Sequence, residues 1–342
     1  MFRSSVMFLF IFAFCSSDAW ARESKKSVYV YTTRHYDADK LLALEFEKRT
    51  GIEVKIVQIK EPAQRIARVI EEKEKTQADL VITTDVGNLW RASEAGVFQK
   101  FKSDRIKNSV PVVFRDKADL WTGLAMRVRL LAFNKEKVKA EQIERMEDIA
   151  RPALKGRVLV RSSNHVYNQS LAATLLASSG RDALVNWSKG VTANLARKPQ
   201  GGDTDQIKAL AAGEGDVALV NSYYVARLLD SNNPADKELM KNISVVFPNQ
   251  KDRGAHVNVS GGGITKYAKN PELANQFLDY LVSKEGQEIF ASASKEYPIR
   301  NDVSGPAVFR TYGQPKLDLN GLSSIGSFTA EAVKILEEAG WR

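Results

Sequence analysis

Apolar and polar positions in the first hundred residues switch between two periods. Ser27-Val28-Tyr29-Val30-Tyr31 predicts a first strand. Asp37 or Asp39 can cap a helix through Arg49, with Gly51 just past its end. Ile52-Glu53-Val54-Lys55-Ile56-Val57 alternates with period two, as a half-buried strand does. Pro62 suits the first position of a helix reaching about Glu74. Ala78-Asp79-Leu80-Val81-Ile82-Thr83 reads as a buried strand, and Asn88 to Ala95 as a short helix closed by Gly96. This βαβαβ order predicts a mostly parallel sheet with helices on both faces.

A second α/β unit follows. Trp121 to Asn134 contains an extended stretch that puts Arg127 and Arg129 on one face and Met126, Val128 and Leu130 on the other. A strand at 157–161 leads to a helix from about Asn168 to Ser178, stopped by Gly180. Gly201-Gly202-Asp203 opens a helix through Ala212. The strand Asp216-Val217-Ala218-Leu219-Val220 runs into a helix that carries Tyr223 and Tyr224 and ends near Asp230. Val257 to Ile264 looks like a strand interrupted by a close backbone approach, and its Gly261-Gly262-Gly263 reads as a structural turn. No Lys-Ser/Thr follows at the spacing of a phosphate-binding loop. Helices are expected from Pro271 to Val282 and on through Ala291. Late strands often return to the first sheet, so two discontinuous domains joined by crossing strands are expected.

Residues 1–21 read as a secretory signal peptide. Arg3 supplies the positive start, Val6 to Phe14 the apolar region, and Ala19-Trp20-Ala21 the small-x-small cleavage site. A lipid anchor at Cys15 would want a small residue before it, where Phe14 stands. Cys15 is the only cysteine, so cleavage after Ala21 leaves no disulfide, thiolate metal site or cysteine nucleophile. No other apolar run approaches the ~20 residues of a membrane helix, so no stable membrane insertion is expected. The net charge of +9 is spread among interspersed acids, as in Glu71-Glu72-Lys73-Glu74-Lys75, and no aromatic-basic array suggests nucleic acid. Neither G-x-S-x-G nor H-E-x-x-H occurs, which leaves hydrolase chemistry without support.

The chemistry concentrates in tyrosines at strand-to-helix junctions. Tyr36 follows the first strand, Tyr167 follows strand 157–161, and Tyr223 and Tyr224 follow strand 216–220, each just before or at the start of a helix. Ligands of α/β proteins bind beyond the carboxyl ends of strands. One such tyrosine is ordinary; four suggest a shared site. Phenolate is a hard anionic donor that suits a hard trivalent cation. An unperturbed phenol, with a pKa of ~10, does not yield its proton readily to a weak divalent ion. His35, directly before Tyr36, is a candidate nitrogen ligand. Arg127 and Arg129 are candidates for offsetting phenolate charge. His165 and His256 stay outside the ligand set.

Val30-Tyr31-Thr32-Thr33-Arg34-His35-Tyr36, Asp85-Val86-Gly87-Asn88-Leu89-Trp90-Arg91, Gly123-Leu124 with Arg127 and Arg129, Tyr167-Asn168-Gln169-Ser170, Asn221-Ser222-Tyr223-Tyr224 and Glu296-Tyr297-Pro298 resemble the periplasmic ferric ion-binding proteins of bacterial ABC transporters. The similarity extends over essentially the whole chain after the signal peptide. It is nearest to the branch, including the cyanobacterial iron-binding proteins, in which a His-Tyr pair and three further tyrosines hold iron without an exogenous anion. The resemblance implies a two-lobed, type II-like periplasmic binding fold, with sheets flanked by helices and hinge strands between the lobes. One lobe would comprise 22–128 plus 254–304 and the other 129–253 plus 305–342. It implies Fe(3+) as transported ligand, bound by His35, Tyr36, Tyr167, Tyr223 and Tyr224, with Arg127 or Arg129 matching the arginine that contacts carbonate in anion-using relatives. It further implies a periplasmic, monomeric binding protein that serves an inner-membrane ABC permease and is not an enzyme.

Two other functions compete. One is a binding protein of the same fold for a polyamine, thiamine, phosphonate or similar ligand, with the tyrosines stacking or hydrogen-bonding. The other is an exported metalloenzyme using tyrosine-bound iron. A visible phenolate-to-iron colour separates the first from an iron carrier, and turnover with oxygen or peroxide would mark the second.

Overall fold

The computed structural model describes residues 26–34, 37–59, 62–320, 322 and 325–342. The expected signal peptide, His35 and Tyr36 lie outside the described residues. In chain order the first part holds Ser27–Thr32 (β1), Asp37–Thr50 (α1), Glu53–Gln58 (β2), Pro62–Glu72 (α2), Leu80–Thr83 (β3), Val86–Glu94 (α3) and Asp104–Ser109 (α4). Thr122–Asn134 (β4) leads to Val158–Leu159 (β5), Val166–Ser179 (α5), Arg181–Ala193 (α6), Asp203–Ala211 (α7), Val217–Asn221 (β6), Ser222–Leu229 (α8), Pro234–Met240 (α9) and Ile243–Val246 (β7). The remainder is Ala255–Ile264 (β8), Pro271–Leu281 (α10), Lys284–Ile289 (α11), Tyr297–Pro298 (β9), Leu317–Asp318 (β10) and Ile325–Glu338 (α12).

The strands order as β2-β1-β3-β8-β4-β6-β5. β1 runs parallel to β2 and β3, and β5 parallel to β6, as crossover helices require. Along this order β8 and β4 run antiparallel to their neighbours, while β10 adds to β8 in parallel, so the sheet is mixed rather than mostly parallel. The reason lies in those two strands, which connect the lobes. β4 pairs with β8 from Thr122 to Val128, then with β6 from Arg129 to Phe133. Arg127 and Arg129 therefore stand on either side of the change of partner. This is the two-lobed type II periplasmic binding fold, and β8 returns late in the chain to the first sheet, as expected.

Burial follows from covering both faces. β3 and β6 are buried at every residue, and β4 at all but its last. The edge strand β2 is only half-buried, and its alternation is correspondingly blurred. Gly261-Gly262-Gly263 is continuous strand, not a turn. A Cβ on Gly261 would meet the Thr122 carbonyl oxygen at 2.7 Å, and one on Gly263 would meet that of Leu120 at 2.6 Å. The close backbone approach read from the triplet is real; it packs the strand rather than reversing it.

Candidate metal centre

α5 begins two residues earlier than its apolar pattern suggests, so Tyr167 lies in its first turn rather than ahead of it. The His165 imidazole caps this helix, its Nδ1 accepting the Tyr167 N–H at 3.3 Å. Burial first, then Arg161, Arg129 and Arg127, push the His165 pKa down to about 3, so it stays neutral. β6 ends in buried Asn221, and α8 starts at Ser222, which sets Tyr223 and Tyr224 in its first turn. Helix starts favour negative charge.

The three phenols converge. The Tyr167 and Tyr223 hydroxyl oxygens are 3.2 Å apart, and the Tyr223 and Tyr224 rings stack at 4.1 Å with a 31° tilt. Tyr223 is wholly buried, Tyr167 nearly so, and Tyr224 half-buried. Burial, then the Tyr167 and Asp203 charges, raise the Tyr224 pKa well above the ordinary phenol value. Ala38, in the first turn of α1, packs against Tyr223 and Tyr224 in a small cluster apart from the main core. The start of α1, which follows His35 and Tyr36 in sequence, thus touches the tyrosine pair at the start of α8.

Three arginines surround this cluster, Arg127 buried and Arg161 and Arg227 partly exposed. The Arg127 and Arg161 guanidinium carbons each lie 5.2 Å from the Tyr167 ring centre, and Arg227 lies 5.0 Å from that of Tyr223. Arg129 does something different. It donates to Asn168 Oδ1 at 2.8 Å, Asp203 Oδ2 at 3.3 Å and Asn221 Oδ1 at 3.4 Å. Asn168 follows Tyr167 and Asn221 precedes α8, so Arg129 fastens the starts of both tyrosine-bearing helices. Asp203, fully buried, also accepts from Arg161 at 3.0 Å and from the Asn221 N–H at 2.7 Å. The two arginines read together from sequence therefore part company: Arg127 stands beside a phenol, and Arg129 builds the scaffold.

This donor set is hard, anionic when deprotonated, shielded from water and flanked by fixed positive charge. It suits a small, highly charged cation better than a soft or weakly acidic one. His256 is buried on β8, and burial with Arg129, Arg253 and Arg127 pushes its pKa down to about 3.

The profile of the bacterial extracellular solute-binding protein family matches residues 75–317. The chain belongs to this family. It is 41% identical over 318 residues to iron uptake protein A1 of Synechocystis sp., covering 93% of this chain and 88% of that protein. Among solved structures, Trichodesmium IdiA (FutA), in complex with iron and citrate, superposes with a TM-score of 0.87 at 41% identity, covering 92% of this chain and all of that one (100%). The ferric binding protein from Campylobacter jejuni gives 0.87 at 36% identity, with the same 92% and 100% coverage.

Sequence reading missed Asp203 and Arg161 as parts of the site. Asp203 opens α7 after two glycines and looks like an ordinary helix-start acid. Arg161 ends a strand and looks like a surface residue. A buried ion pair spanning 42 residues leaves no periodic trace.

Proposed function

We propose that the protein captures Fe(III) in the periplasm, between its two lobes, and delivers it to an inner-membrane ABC permease. Tyr167, Tyr223 and Tyr224 bind from the second lobe, and His35 and Tyr36 from the first. The observation that carries this reading is the convergence of three phenols, two of them with oxygens 3.2 Å apart, among Arg127, Arg129 and Arg161. The family membership and the iron-named relatives support it.

Four phenolates and one ferric ion sum to a single negative charge. Arg127 and Arg161 offset that charge without entering the first shell, and Arg129 keeps the helix starts in place. Each phenol gives up its proton only to a strong Lewis acid, which favours ferric ion over divalent competitors. A ligand that bridges two lobes binds the closed arrangement best and shifts the population toward it.

The lobes comprise 22–128 with 254–304 and 129–253 with 305–342. The mature chain starts at or near Arg22, acts as a monomer and is a carrier rather than an enzyme. Among the described residues no helix is long and apolar enough to cross a membrane. The test is the visible spectrum of protein purified from its native compartment. A phenolate-to-iron band that bleaches on reduction and chelation supports the reading; colourless protein that gains no band with ferric salt refutes it and favours an organic ligand.

A further inference from the structure

Asn168 is buried at the third position of α5, next to Tyr167. A side chain at this position commonly reaches back to cap its own helix. Here His165 already accepts a first-turn N–H, and the Asn168 amide reaches further back along the chain. Its Nδ2 donates to the carbonyl oxygens of Arg161 at 2.9 Å and Ser162 at 3.1 Å. Its Oδ1 accepts Arg129 Nη2 at 2.8 Å. Both amide protons are therefore used, and the oxygen carries a charged partner.

These bonds close a ring. Arg129 Nη1 donates to Asp203 Oδ2 at 3.3 Å, Arg161 Nη1 donates to Asp203 Oδ1 at 3.0 Å, and the Arg161 carbonyl returns to Asn168. The Arg161 guanidinium in this ring is the one 5.2 Å from the Tyr167 ring centre. Asn168 is the member joined covalently to Tyr167, whose hydroxyl oxygen lies 3.2 Å from that of Tyr223. The segment before α5 is also held from its far side. The Trp341 indole N–H donates to the Arg161 carbonyl at 2.9 Å, and the Ser163 hydroxyl donates to the Trp341 carbonyl. Aspartate has the same shape as asparagine but no N–H for the two carbonyls, and glutamine carries its amide one carbon farther out.

We propose that Asn168 is a positioning residue for the iron site: its amide closes the ring and so sets the Tyr167 phenol and the Arg161 guanidinium lying against it as one unit. This rests on the ferric-ion reading above, with Tyr167 as a ligand. Groups that orient metal ligands typically change metal affinity about 10–100-fold when removed. A group acting through Tyr167 loses that leverage once the Tyr167 oxygen is gone. A residue that matters only for the fold costs the same with or without that oxygen.

The experiment is a mutant cycle on the full mature protein, read by citrate competition for ferric ion, the visible band, and the urea midpoint of the metal-free form. Asn168→Ala should lower iron affinity about 10–100-fold and shift the band. In a Tyr167→Phe background the same substitution should change affinity by no more than about twofold, the tolerance of independent sites. Asn168→Asp keeps the size and the acceptor for Arg129 but loses both donors. It should reproduce the pattern, and it replaces Asn168→Ala if that variant does not fold. Trp341→Phe, which keeps an aromatic ring but takes the indole N–H from the Arg161 carbonyl, stands in if neither folds. An equal loss in both backgrounds, or folded Asn168 variants with wild-type band and affinity, would overturn the proposal. If Tyr167→Phe alone leaves the wild-type band and affinity unchanged, the iron-site reading fails at Tyr167 and the proposal falls with it.

Discussion

Ser170→Ala probes how the helix carrying Tyr167 is held against the start of α3. Ser170 lies one turn beyond Tyr167 on α5, and its hydroxyl is 2.9 and 2.8 Å from the two carboxylate oxygens of Asp85, the N-cap of α3. Asp85 is fully buried and also accepts the Gly87 N–H at 2.8 Å and Asn258 Nδ2 at 2.7 Å. Asn258 cannot turn to compensate, because its Oδ1 already accepts the Val86 and Val259 N–H groups at 2.9 and 2.7 Å. Burial pushes the Asp85 carboxyl up to about 6, against Arg127, Ser170 and the Gly87 N–H, which favour the anion. The native carboxyl therefore holds its proton more tightly than the unfolded chain does between about pH 4 and 6, and this group alone adds stability as pH falls through that window.

The Ser170 bond works in the opposite sense, since it supports the anion. A hydrogen bond to a charged group contributes about 1.5–3 kcal/mol, and one to a neutral group about 0.5–1.5 kcal/mol. Alanine is nearly the same size, so a cavity adds little. Urea unfolding of metal-free protein should show a loss of about 1.5–3 kcal/mol at roughly pH 7.5, shrinking to about 0.5–1.5 kcal/mol at roughly pH 5. A loss below about 0.5 kcal/mol at the higher pH, or the same loss at both, would refute the reasoning.

Tyr223→Phe and Tyr224→Phe should each weaken iron binding, shift or bleach the visible band, and reduce the protons released on loading by about one, as a pH-stat titration would record. Asp203→Ala removes the counter-ion of Arg129 and Arg161 and should destabilise the metal-free protein by about 3–5 kcal/mol in urea. Arg127→Gln should lower iron affinity while keeping the colour. Arg129→Gln should cost more stability than Arg127→Gln, because Arg129 fastens Asn168, Asp203 and Asn221; matched urea curves would check the order. Intact mass and thiol titration should give a chain starting at or near Arg22 with no free thiol.

Local chemistry made the strands and the tyrosine positions legible. β3 and β6 announce themselves because buried strands are continuous apolar runs, and β6 ends just before Tyr223 and Tyr224; β4 carries Arg127 and Arg129 within its span. β5 shrinks to two residues, since Val158 and Leu159 alone find a ladder partner in β6. α6 carries no strong signal, and none was read there. The glycine triplet reads as a turn to any local rule, because the reason for it is the carbonyl oxygens of Leu120 and Thr122 pressing in from β4 and the residues just before it. The ion pairs of the site were illegible for the same reason. Arg34 meets Glu296 across 262 residues, and Arg129 meets Asp203 across 74. No spacing rule links such residues; only the folded sheet does.

The central claim is that protein side chains alone complete the iron shell, and an iron titration in rigorously carbonate-free buffer across a pH series tests it most directly. The account predicts that the band forms without carbonate. It also predicts that affinity falls steeply as pH drops, approaching about four protons per iron for Tyr36, Tyr167, Tyr223 and Tyr224. Binding that collapses without carbonate, or an affinity that barely responds to pH, would contradict it.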